Sequence, residues 1–371
     1  MKLAIVHDYL NQYGGAERVI EALNEIYKDS PIYTSIYDAE RMPATFRKMD
    51  IRTSFMQKIP FIKKIFKYCL FLYPKAFQSF DLSGYDIILS SSSAFAKGIK
   101  KDKNVLHICY CYTPARFLWD YENYIKKEKK GFLIKFILPL ILKRLKKWDL
   151  KNNKGVDYFI SISENIKNRI KSVYGLESDV IYPPVNINHY NINNSEDGYF
   201  LIVSRLNSYK NLDLVIKCFN KLSNLKLKIV GTGPFQNKLK LMAGSNTEFV
   251  GRVDEDELVR LYSRCRAFIF PGNEDFGITP IEAQASGKPV IAFKMGGALE
   301  TIIDKKTGIF FDENTEESFL GAINRFLEVE KMFDKEEIRK NAERFDKEIF
   351  KKKINEYVLS KYEDFKKIKN G

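Results

Sequence analysis

The chain has 371 residues, more than one hydrophobic core usually organises, so two domains of roughly 150 to 200 residues are expected. Its hydrophobic content of 45%, without long Pro/Gly/Ser-rich tracts, excludes a wholly disordered protein. The five cysteines (69, 109, 111, 218 and 265) form no Cys-x-x-Cys pair and have no histidines at ligand spacing. This pattern argues against a disulfide framework or a zinc site and favours a reducing compartment.

The net charge of +14 is concentrated in two segments of the first half of the chain. Residues 58–75 carry five basic and no acidic side chains, and residues 126–147 carry nine basic side chains and one acidic, Glu128. Such local excess calls for a local explanation, such as contact with an anionic surface. The opening apolar run, residues 3–6, is too short for a signal peptide, so we expect a cytoplasmic protein.

Short β-rich runs alternate with amphipathic runs, which predicts an α/β protein with parallel sheets wound by crossover helices. We expect helices that open near Gly15 and Ser163, and one basic amphipathic helix between Lys58 and Phe77, where apolar residues recur at helical spacing. The predicted strands of the first half are residues 2–6, 32–36, 85–90, 105–111 and 157–161.

A double proline, Pro183-Pro184, and the Asn-rich residues 186–194 mark a linker. The alternation then restarts, with predicted strands at 199–204, 225–230, 248–250, 267–270, 289–293 and 308–311. Helices are predicted at 211–222, from Pro234, from Asp254, from Thr279 and near Leu299. We therefore place a first domain at 1–186, a second at 187–345, and a C-terminal helix at 346–371 that packs across both. Two open sheets would leave a cleft, with ligands at the carboxyl ends of the strands.

The most informative stretch is residues 270–282, where a strand ends, a Pro/Gly loop turns and a helix begins. Backbone amides of Gly277, Ile278 and Thr279 at the helix start would form a cradle for an anion such as a diphosphate. Glu274 in the loop and Glu282 in the helix could address one ligand from opposite ends.

Two further loops offer groups that suit a phosphorylated ligand. Arg205 and Lys210, between a strand and a helix, suit a diphosphate leaving group and could replace a metal ion. Gly14-Gly15, after the first strand, would let the backbone approach a ligand closely. The loop that holds Gly231 and Gly233 lacks the third glycine of a dinucleotide fingerprint, so an NAD site is not predicted.

Asp254-Glu255-Asp256 fits an Asp-x-Asp pattern that could bind manganese, but it directly precedes a helical run. Aspartate is a good capping residue there, so we interpret Asp254 as a helix cap. No metal or other cofactor is expected.

The segment Glu274-Asp275-Phe276-Gly277-Ile278-Thr279-Pro280-Ile281-Glu282 resembles the Glu-x7-Glu signature of family 4 glycosyltransferases. The resemblance implies the GT-B architecture, in which two Rossmann-like domains face each other across a cleft. It implies that Glu274 contacts the donor sugar and stabilises its developing positive charge, and that Glu282 holds the donor ribose. Arg205 and Lys210 would bind the pyrophosphate. Also expected at the donor are Gly15, Gly231, Gly277, Ile278 and Thr279.

Residues 111–120 resemble a segment of bacterial mannosyltransferases that build O-antigen and other surface polysaccharides. A histidine often precedes the Thr-Pro pair there, whereas this chain has Tyr112. Whether Tyr112 replaces that histidine stays open, and neither His7 nor His107 can simply take its place. Gly14, Tyr112 and Arg116 are assigned to the acceptor side.

The resemblance implies a retaining glycosyltransferase that moves a hexose onto a hydroxyl of a glycan or a lipid-linked saccharide in surface polysaccharide biosynthesis. Mannose from GDP-mannose is the first choice of donor, and UDP-glucose or another nucleotide sugar is the alternative. We expect the basic segments to attach the protein peripherally to the anionic inner face of the cell membrane. An alternative function is a sugar-nucleotide epimerase, which would act on the donor alone and need no acceptor. A nucleic-acid-binding protein is suggested by the pI of about 9.2, but no nucleic-acid motif is present and no nucleic-acid partner is expected.

Overall fold

The computed structural model describes residues 1–120 and 132–370. Their contacts divide the chain into unit 1, Met1–Pro184 with Glu348–Gly371, and unit 2, Val185–Lys347. The first boundary lies two residues before the one predicted at 186/187. From Glu348 onward the C-terminal segment groups with unit 1, and its packing across both domains stays a prediction.

Unit 1 contains a seven-stranded sheet of order β3-β2-β1-β4-β5-β6-β7, in which neighbouring strands are parallel. The central strands are buried along their whole length, as expected of a sheet covered on both faces. The five predicted strands are confirmed, whereas the short edge strand β3 was not predicted. The strands are β1 (Leu3–His7), β2 (Ile32–Thr34), β3 (Ile51–Thr53), β4 (Ile87–Ser92), β5 (Leu106–Cys111), β6 (Tyr158–Ser161) and β7 (Asp179–Val180).

The two helices predicted to open near Gly15 and Ser163 begin there. The side chain of Ser163 caps α6 by accepting the Ile166 amide at 3.1 Å, and Gly175 ends the helix in a left-handed conformation. The helices are α1 (Gly15–Ile26), α2 (Ile62–Ile65), α3 (Tyr73–Gln78), α4 (Arg116–Trp119), α5 (Phe132–Asn153) and α6 (Glu164–Tyr174). Over the residues that the structure describes, no helix is long and apolar enough to cross a membrane.

The prediction of one amphipathic helix between Lys58 and Phe77 is wrong. The segment is broken into a 3₁₀ helix (Phe55–Lys58), α2, a second 3₁₀ helix (Phe66–Tyr68) and α3. Phe61, directly after Pro60, adopts a left-handed conformation with φ 58° that starts α2, and Pro74 lies in the first turn of α3. A continuous helix could not accommodate these prolines, since each removes an amide donor and clashes with the preceding turn. Of the other basic segment, residues 126–131 lie outside the described residues.

Unit 2 contains a six-stranded sheet of order β10-β9-β8-β11-β12-β13, again with parallel neighbours. All six predicted strands are confirmed. The strands are β8 (Tyr199–Val203), β9 (Lys226–Val230), β10 (Thr247–Gly251), β11 (Ala267–Phe270), β12 (Val290–Phe293) and β13 (Gly308–Phe311). The helices are α7 (Leu212–Lys221), α8 (Gln236–Met242), α9 (Glu255–Arg264), α10 (Ile278–Ala285), α11 (Ala298–Thr301), α12 (Glu316–Val329) and α13 (Lys335–Glu343), followed by α14 (Lys347–Asn370).

Both sheets have the strand order of doubly wound α/β domains, so the predicted fold class is confirmed in each unit. The order reverses between β1 and β4 in unit 1 and between β8 and β11 in unit 2. In such sheets the connections leave the two strands at this switch point in opposite directions, and a crevice opens outside their carboxyl ends. The loops after β8 and β11 are therefore where unit 2 is expected to bind a ligand.

Candidate active site

The loop after β8 brings a lysine to the switch point of unit 2. Lys210 ends a 3₁₀ turn (Ser208–Lys210), and the next residue, Asn211, adopts a left-handed conformation with φ 56°. Its side-chain amide donates to the carbonyl of Pro271 at 3.3 Å, which ties this loop to the loop after β11. The Lys210 ammonium forms an ion pair with Oε1 of Glu274. The structure thus brings together two of the three predicted catalytic residues.

Arg205 lies on the same loop and is exposed, five residues before Lys210. The Lys210 side chain is 12% exposed and that of Glu274 is 29% exposed, so both remain accessible to a ligand. The ammonium also lies 5.2 Å from the ring centroid of Tyr209, a cation–π arrangement. These contacts orient Lys210 toward the loop after β11.

The loop after β11 turns into α10 through a glycine that no other residue could replace without strain. Gly277 has φ 92°, and a Cβ there would lie 2.7 Å from the ring of Phe270. α10 begins at Ile278, one residue before the predicted start, with Thr279 and Pro280 in its first turn. The first amides of a helix have no partner within it, and the helix dipole places partial positive charge at this end. Gly277, Ile278 and Thr279 therefore form the helix start that was predicted as an anion cradle.

Glu282 lies inside α10 and is 2% exposed. One of its carboxylate oxygens accepts a hydrogen bond from the Tyr262 hydroxyl at 2.8 Å. Because a buried carboxylate is costly without hydrogen-bond donors, Tyr262 holds Glu282 in a defined position. This role of Tyr262 was not predicted from the sequence, in which an aromatic residue of α9 looks like an ordinary core residue.

Glycines allow the neighbouring loops to pack directly on the loops after β8 and β11. A Cβ on Gly231, which has φ 121°, would lie 2.0 Å from the Ser204 carbonyl oxygen. A Cβ on Gly297 would lie 2.1 Å from the Phe276 carbonyl oxygen, and the Gly297 amide donates to the Glu274 carbonyl at 2.9 Å. The loops after β9 and β12 therefore support the backbones that carry Arg205 and Glu274.

The donor-side residues predicted in unit 2 thus lie on three loops, or on the helix that continues one of them, at the carboxyl ends of β9, β8 and β11. These strands are consecutive neighbours in the sheet. A cation, a partly exposed carboxylate and a helix start share this edge. Such a set can bind a ligand with a diphosphate beside a polyhydroxylated group.

The loops of unit 1 form a polar network around the other predicted glycines. Gly14 and Gly15 open α1, and the Tyr112 hydroxyl donates to the Ala16 carbonyl at 3.1 Å. The same hydroxyl lies 2.7 Å from Ser91 Oγ. Tyr112 therefore contacts the glycine turn, as an acceptor-side grouping of these residues requires. Arg116 is the first residue of α4 and is partly exposed.

His7 extends this network below the glycine turn. Its Nδ1 lies 3.2 Å from the Ser91 carbonyl oxygen and 3.0 Å from Ser91 Oγ. Depending on the tautomer, Nδ1 donates to these oxygens or accepts a hydrogen bond from the Ser91 hydroxyl. Nε2 faces Oε1 of Glu17 at 3.9 Å, and both side chains are buried.

Burial decides what two of the candidate titratable groups of unit 1 can do. It raises the pKa of Tyr112 well above the ordinary range of a tyrosine, so the phenol keeps its proton at neutral pH. Burial also lowers the pKa of His107 to about 4, so this imidazole is neutral. His107 Nε2 lies 2.8 Å from Ser90 Oγ within the sheet. His107 is thus a neutral core residue.

Asp8 is a structural centre of unit 1 that was not predicted from the sequence. Its buried carboxylate accepts the backbone amides of Ser93, Ala94, Phe95 and Ala96, at 2.6 to 3.0 Å. These contacts join the loops after β1 and β4 at the switch point of this sheet. The only sequence signal was an acidic residue directly after a buried strand.

Asp254 caps α9 by accepting the Glu257 amide at 2.9 Å, so the capping interpretation is confirmed. All five cysteines are free. In residues 1–120 and 132–370, no group of three or more His, Cys, Asp or Glu side chains could hold a metal ion. The metal independence of the reaction stays a prediction.

Comparisons with known proteins agree with this geometry. Residues 187–345 match the model of the family described as Glycosyl transferases group 1, and they span unit 2 to within two residues at each end. An uncharacterised glycosyltransferase of Methanocaldococcus jannaschii, MJ1178, is 24% identical over 95% of this chain and 94% of its own length. The O-antigen chain mannosyltransferase C of Escherichia coli is 25% identical over 85% of each chain.

Among solved structures, Anabaena HepE in complex with UDP and glucose has a TM-score of 0.73 and 18% identity. It covers 97% of this chain and all of that one, which shows that the two chains share a fold. With the family match and the relatives, this confirms the predicted GT-B fold and family 4 resemblance. Unit 2 belongs to the group 1 glycosyl transferases, and the chain is a glycosyltransferase.

Proposed function

We propose that the chain transfers a hexose from a nucleotide sugar to a hydroxyl of a glycan or a lipid-linked saccharide in surface polysaccharide biosynthesis. The observation that carries the proposal is the Lys210–Glu274 pair at the switch point of unit 2. The E. coli relative, which by its name is an O-antigen chain mannosyltransferase, favours mannose from GDP-mannose as the first donor to test. The UDP and glucose in HepE keep UDP-glucose as the alternative.

In the proposed donor complex, Arg205, Lys210 and the start of α10 bind the diphosphate. Glu274 contacts the sugar hydroxyls and stabilises the positive charge that develops at the anomeric carbon. Glu282 accepts hydrogen bonds from the ribose hydroxyls. The pairing of Lys210 with Glu274 supports this arrangement, because a diphosphate and the sugar that it carries are also adjacent. Gly231 and, from unit 1, Gly15 allow close backbone approach.

Cationic side chains and a helix start would stabilise the leaving diphosphate as its negative charge rises. We therefore propose that no metal ion is needed. Gly14, Tyr112 and Arg116 are proposed to contact the acceptor, and the protein is proposed to act in the cytoplasm at the inner face of the membrane.

The proposed reaction retains the anomeric configuration. The bond between the anomeric carbon and the phosphate oxygen breaks, the acceptor oxygen bonds to that carbon on the same face, and the acceptor proton moves to the leaving phosphate oxygen. This route needs no protein base on the acceptor. The raised pKa of Tyr112 supports it, since a phenol that keeps its proton is not that base.

The proposal can be tested without knowing the acceptor, because a glycosyltransferase that is given no acceptor can transfer the sugar slowly to water. Proton NMR of purified protein with GDP-mannose, and separately with UDP-glucose, identifies the donor and the first anomer released. We expect hydrolysis of one donor with α-mannose or α-glucose appearing first. Release of the β anomer first would contradict retention, and conversion of the sugar while it is still attached to the nucleotide would indicate an epimerase.

A further inference from the structure

Unit 1 exposes a group of large apolar side chains on the broken helical segment that follows β3. Phe61 and Tyr68 are each 77% exposed, and Phe71 is 60% exposed. Phe55 and Ile65 are more than a third exposed. Lys58, Lys64 and Lys67 on the same segment are exposed. We call these eight residues the aromatic–lysine surface. Folded chains rarely leave several large apolar side chains together in water unless a partner covers them.

The segment is anchored to the core, so the exposure is not that of a loose loop. Met56, Ile62 and Tyr73 are buried in the hydrophobic cluster of unit 1, and Phe66, Cys69 and Leu70 pack against that cluster. Lys63 holds the segment to the buried carboxylate of Asp38 at 2.8 Å. The apolar residues of the segment therefore divide into a set that packs inward and a set that projects outward.

Phe61 is held in an unfavourable conformation while its ring faces solvent. Its φ of 58° is uncommon for a bulky residue and raises the energy of the folded state. With 77% of the side chain exposed, core packing offsets little of that cost. The conformation does, however, separate Phe61 from the inward-facing Ile62.

The charged residues of the segment itself have a single sign. Between Asp50 and Asp81 the sequence contains no acidic residue and six basic ones. A partner that complements this surface must combine negative charge with an apolar interior. Anionic lipid does so, because phenylalanine and tyrosine enter the boundary between headgroups and acyl chains while lysines reach the phosphates.

We propose that the aromatic–lysine surface binds unit 1 to the interface of an anionic membrane, with Phe61, Tyr68 and Phe71 inserted among the headgroups. The proposal goes beyond the transfer reaction and does not depend on the identity of the donor. The sequence predicts membrane contact for both basic segments. The proposal places this contact on the segment after β3, which exposes both apolar and basic side chains.

Co-sedimentation of the full chain with vesicles tests the proposal. The vesicles are phosphatidylcholine alone, or an equal mixture of phosphatidylcholine and phosphatidylglycerol, at low and at physiological salt. We expect binding to the mixed vesicles only, weakened by salt. Equal binding to both kinds of vesicle, or to neither, would overturn the proposal.

Two double variants locate the contact. Phe61→Ser with Phe71→Ser removes apolar groups, and Lys64→Glu with Lys67→Glu reverses charge. Each basic residue near an anionic surface contributes about fivefold to affinity, so the charge variant should bind mixed vesicles at least about tenfold more weakly. The serine variant should lose a similar factor, since it removes two rings that membrane insertion would bury. Binding of both variants at the wild-type level would show that the surface is not the contact.

A matched control lies on α8 of unit 2, where Lys238 and Lys240 are exposed and Leu241 is 89% exposed. Lys238→Glu with Lys240→Glu and Leu241→Ser makes a comparable change and should leave vesicle binding unaltered. Phe61→Trp adds a readout independent of affinity, because tryptophan emission shifts to the blue on entering the interface. No blue shift with mixed vesicles would contradict insertion. Strong retention of the wild type on DNA without vesicle binding would identify a nucleic-acid surface instead.

Discussion

The side chains of Lys210 and Glu274, 64 residues apart in the chain, form an ion pair at the carboxyl edge of the unit 2 sheet. β8 and β11 are adjacent in this sheet although two other strands separate them in sequence, so the loops that follow them meet. The group that we propose to bind the leaving phosphate therefore lies beside the group that we propose to contact the sugar.

Lys210→Ala should lower turnover by about a hundredfold or more, the scale on which one preorganised electrostatic donor acts. Since the charge on the leaving group grows in the transition state, kcat should fall more than KM rises. The free energy of unfolding should change by about 1 kcal/mol or less, because the pair is partly exposed. Steady-state kinetics and chemical denaturation measure both.

The control for this change is Lys226→Ala, an exposed lysine at the opposite end of β9 from the loops of the site. It should keep wild-type kinetics. Near-normal turnover in both Lys210→Ala and Arg205→Ala would remove these two residues from the proposed mechanism.

Glu282→Ala should abolish the preference of the protein for a ribonucleotide over its 2′-deoxy analogue. The buried carboxylate is held by Tyr262, and it is proposed to accept hydrogen bonds from the ribose hydroxyls. Calorimetric titration with GDP and 2′-deoxy-GDP, or with the corresponding uridine pair, compares the two ligands. We expect weaker deoxynucleotide binding by about tenfold in the wild type and equal binding in the variant. Equal affinities in the wild type would mean that Glu282 has another role.

Tyr112→Phe should lower turnover by less than about tenfold and leave the shape of the pH profile unchanged. The substitution keeps the ring but removes the hydrogen bonds to Ala16 and Ser91. Since the Tyr112 pKa is raised, its loss should not remove a general base, a group that typically contributes about a hundredfold or more. Loss of activity on that scale, together with loss of the limb along which activity rises with pH, would show that Tyr112 takes the place of the family histidine.

The protein should lose stability as the pH falls from about 6.5 to about 4, in part through His107. Its folded pKa is lowered to about 4, so in this window the unfolded state binds a proton that the folded state does not. This lowering of the His107 pKa corresponds to a loss of about 3 kcal/mol in the free energy of unfolding below pH 4, relative to neutral pH. Denaturant unfolding over this range should show a smaller pH dependence in His107→Gln than in the wild type. The same pH dependence in both would exclude this cause.

The sequence predicted the central strands well because they are buried and rich in branched aliphatic residues, as in Val290–Phe293. Glu274, Gly277 and Glu282 could be placed because strand, loop and helix are contiguous in the chain. Asp8 and Tyr262 could not, because their roles depend on partners about 85 and 20 residues away that only the fold brings close.

The segment from Lys58 to Phe77 shows how periodicity misleads. Its apolar residues recur at helical spacing, yet Pro60 and Pro74 break the backbone, and Phe61, Ile65, Tyr68 and Phe71 are exposed. Spacing reports which residues could share a helix face, whereas the prolines decide whether one helix forms.

A thermal-shift screen of the full chain tests the central claim most directly, because a ligand that binds only the folded state raises the melting temperature. The ligands are GDP, UDP, ADP and their common sugar conjugates, in the presence of EDTA. We predict a rise with the nucleotides of one base in the wild type and a much smaller rise in Lys210→Ala. No rise with any nucleotide, even after EDTA is replaced by manganese, would contradict a nucleotide-sugar site built on Lys210 and Glu274.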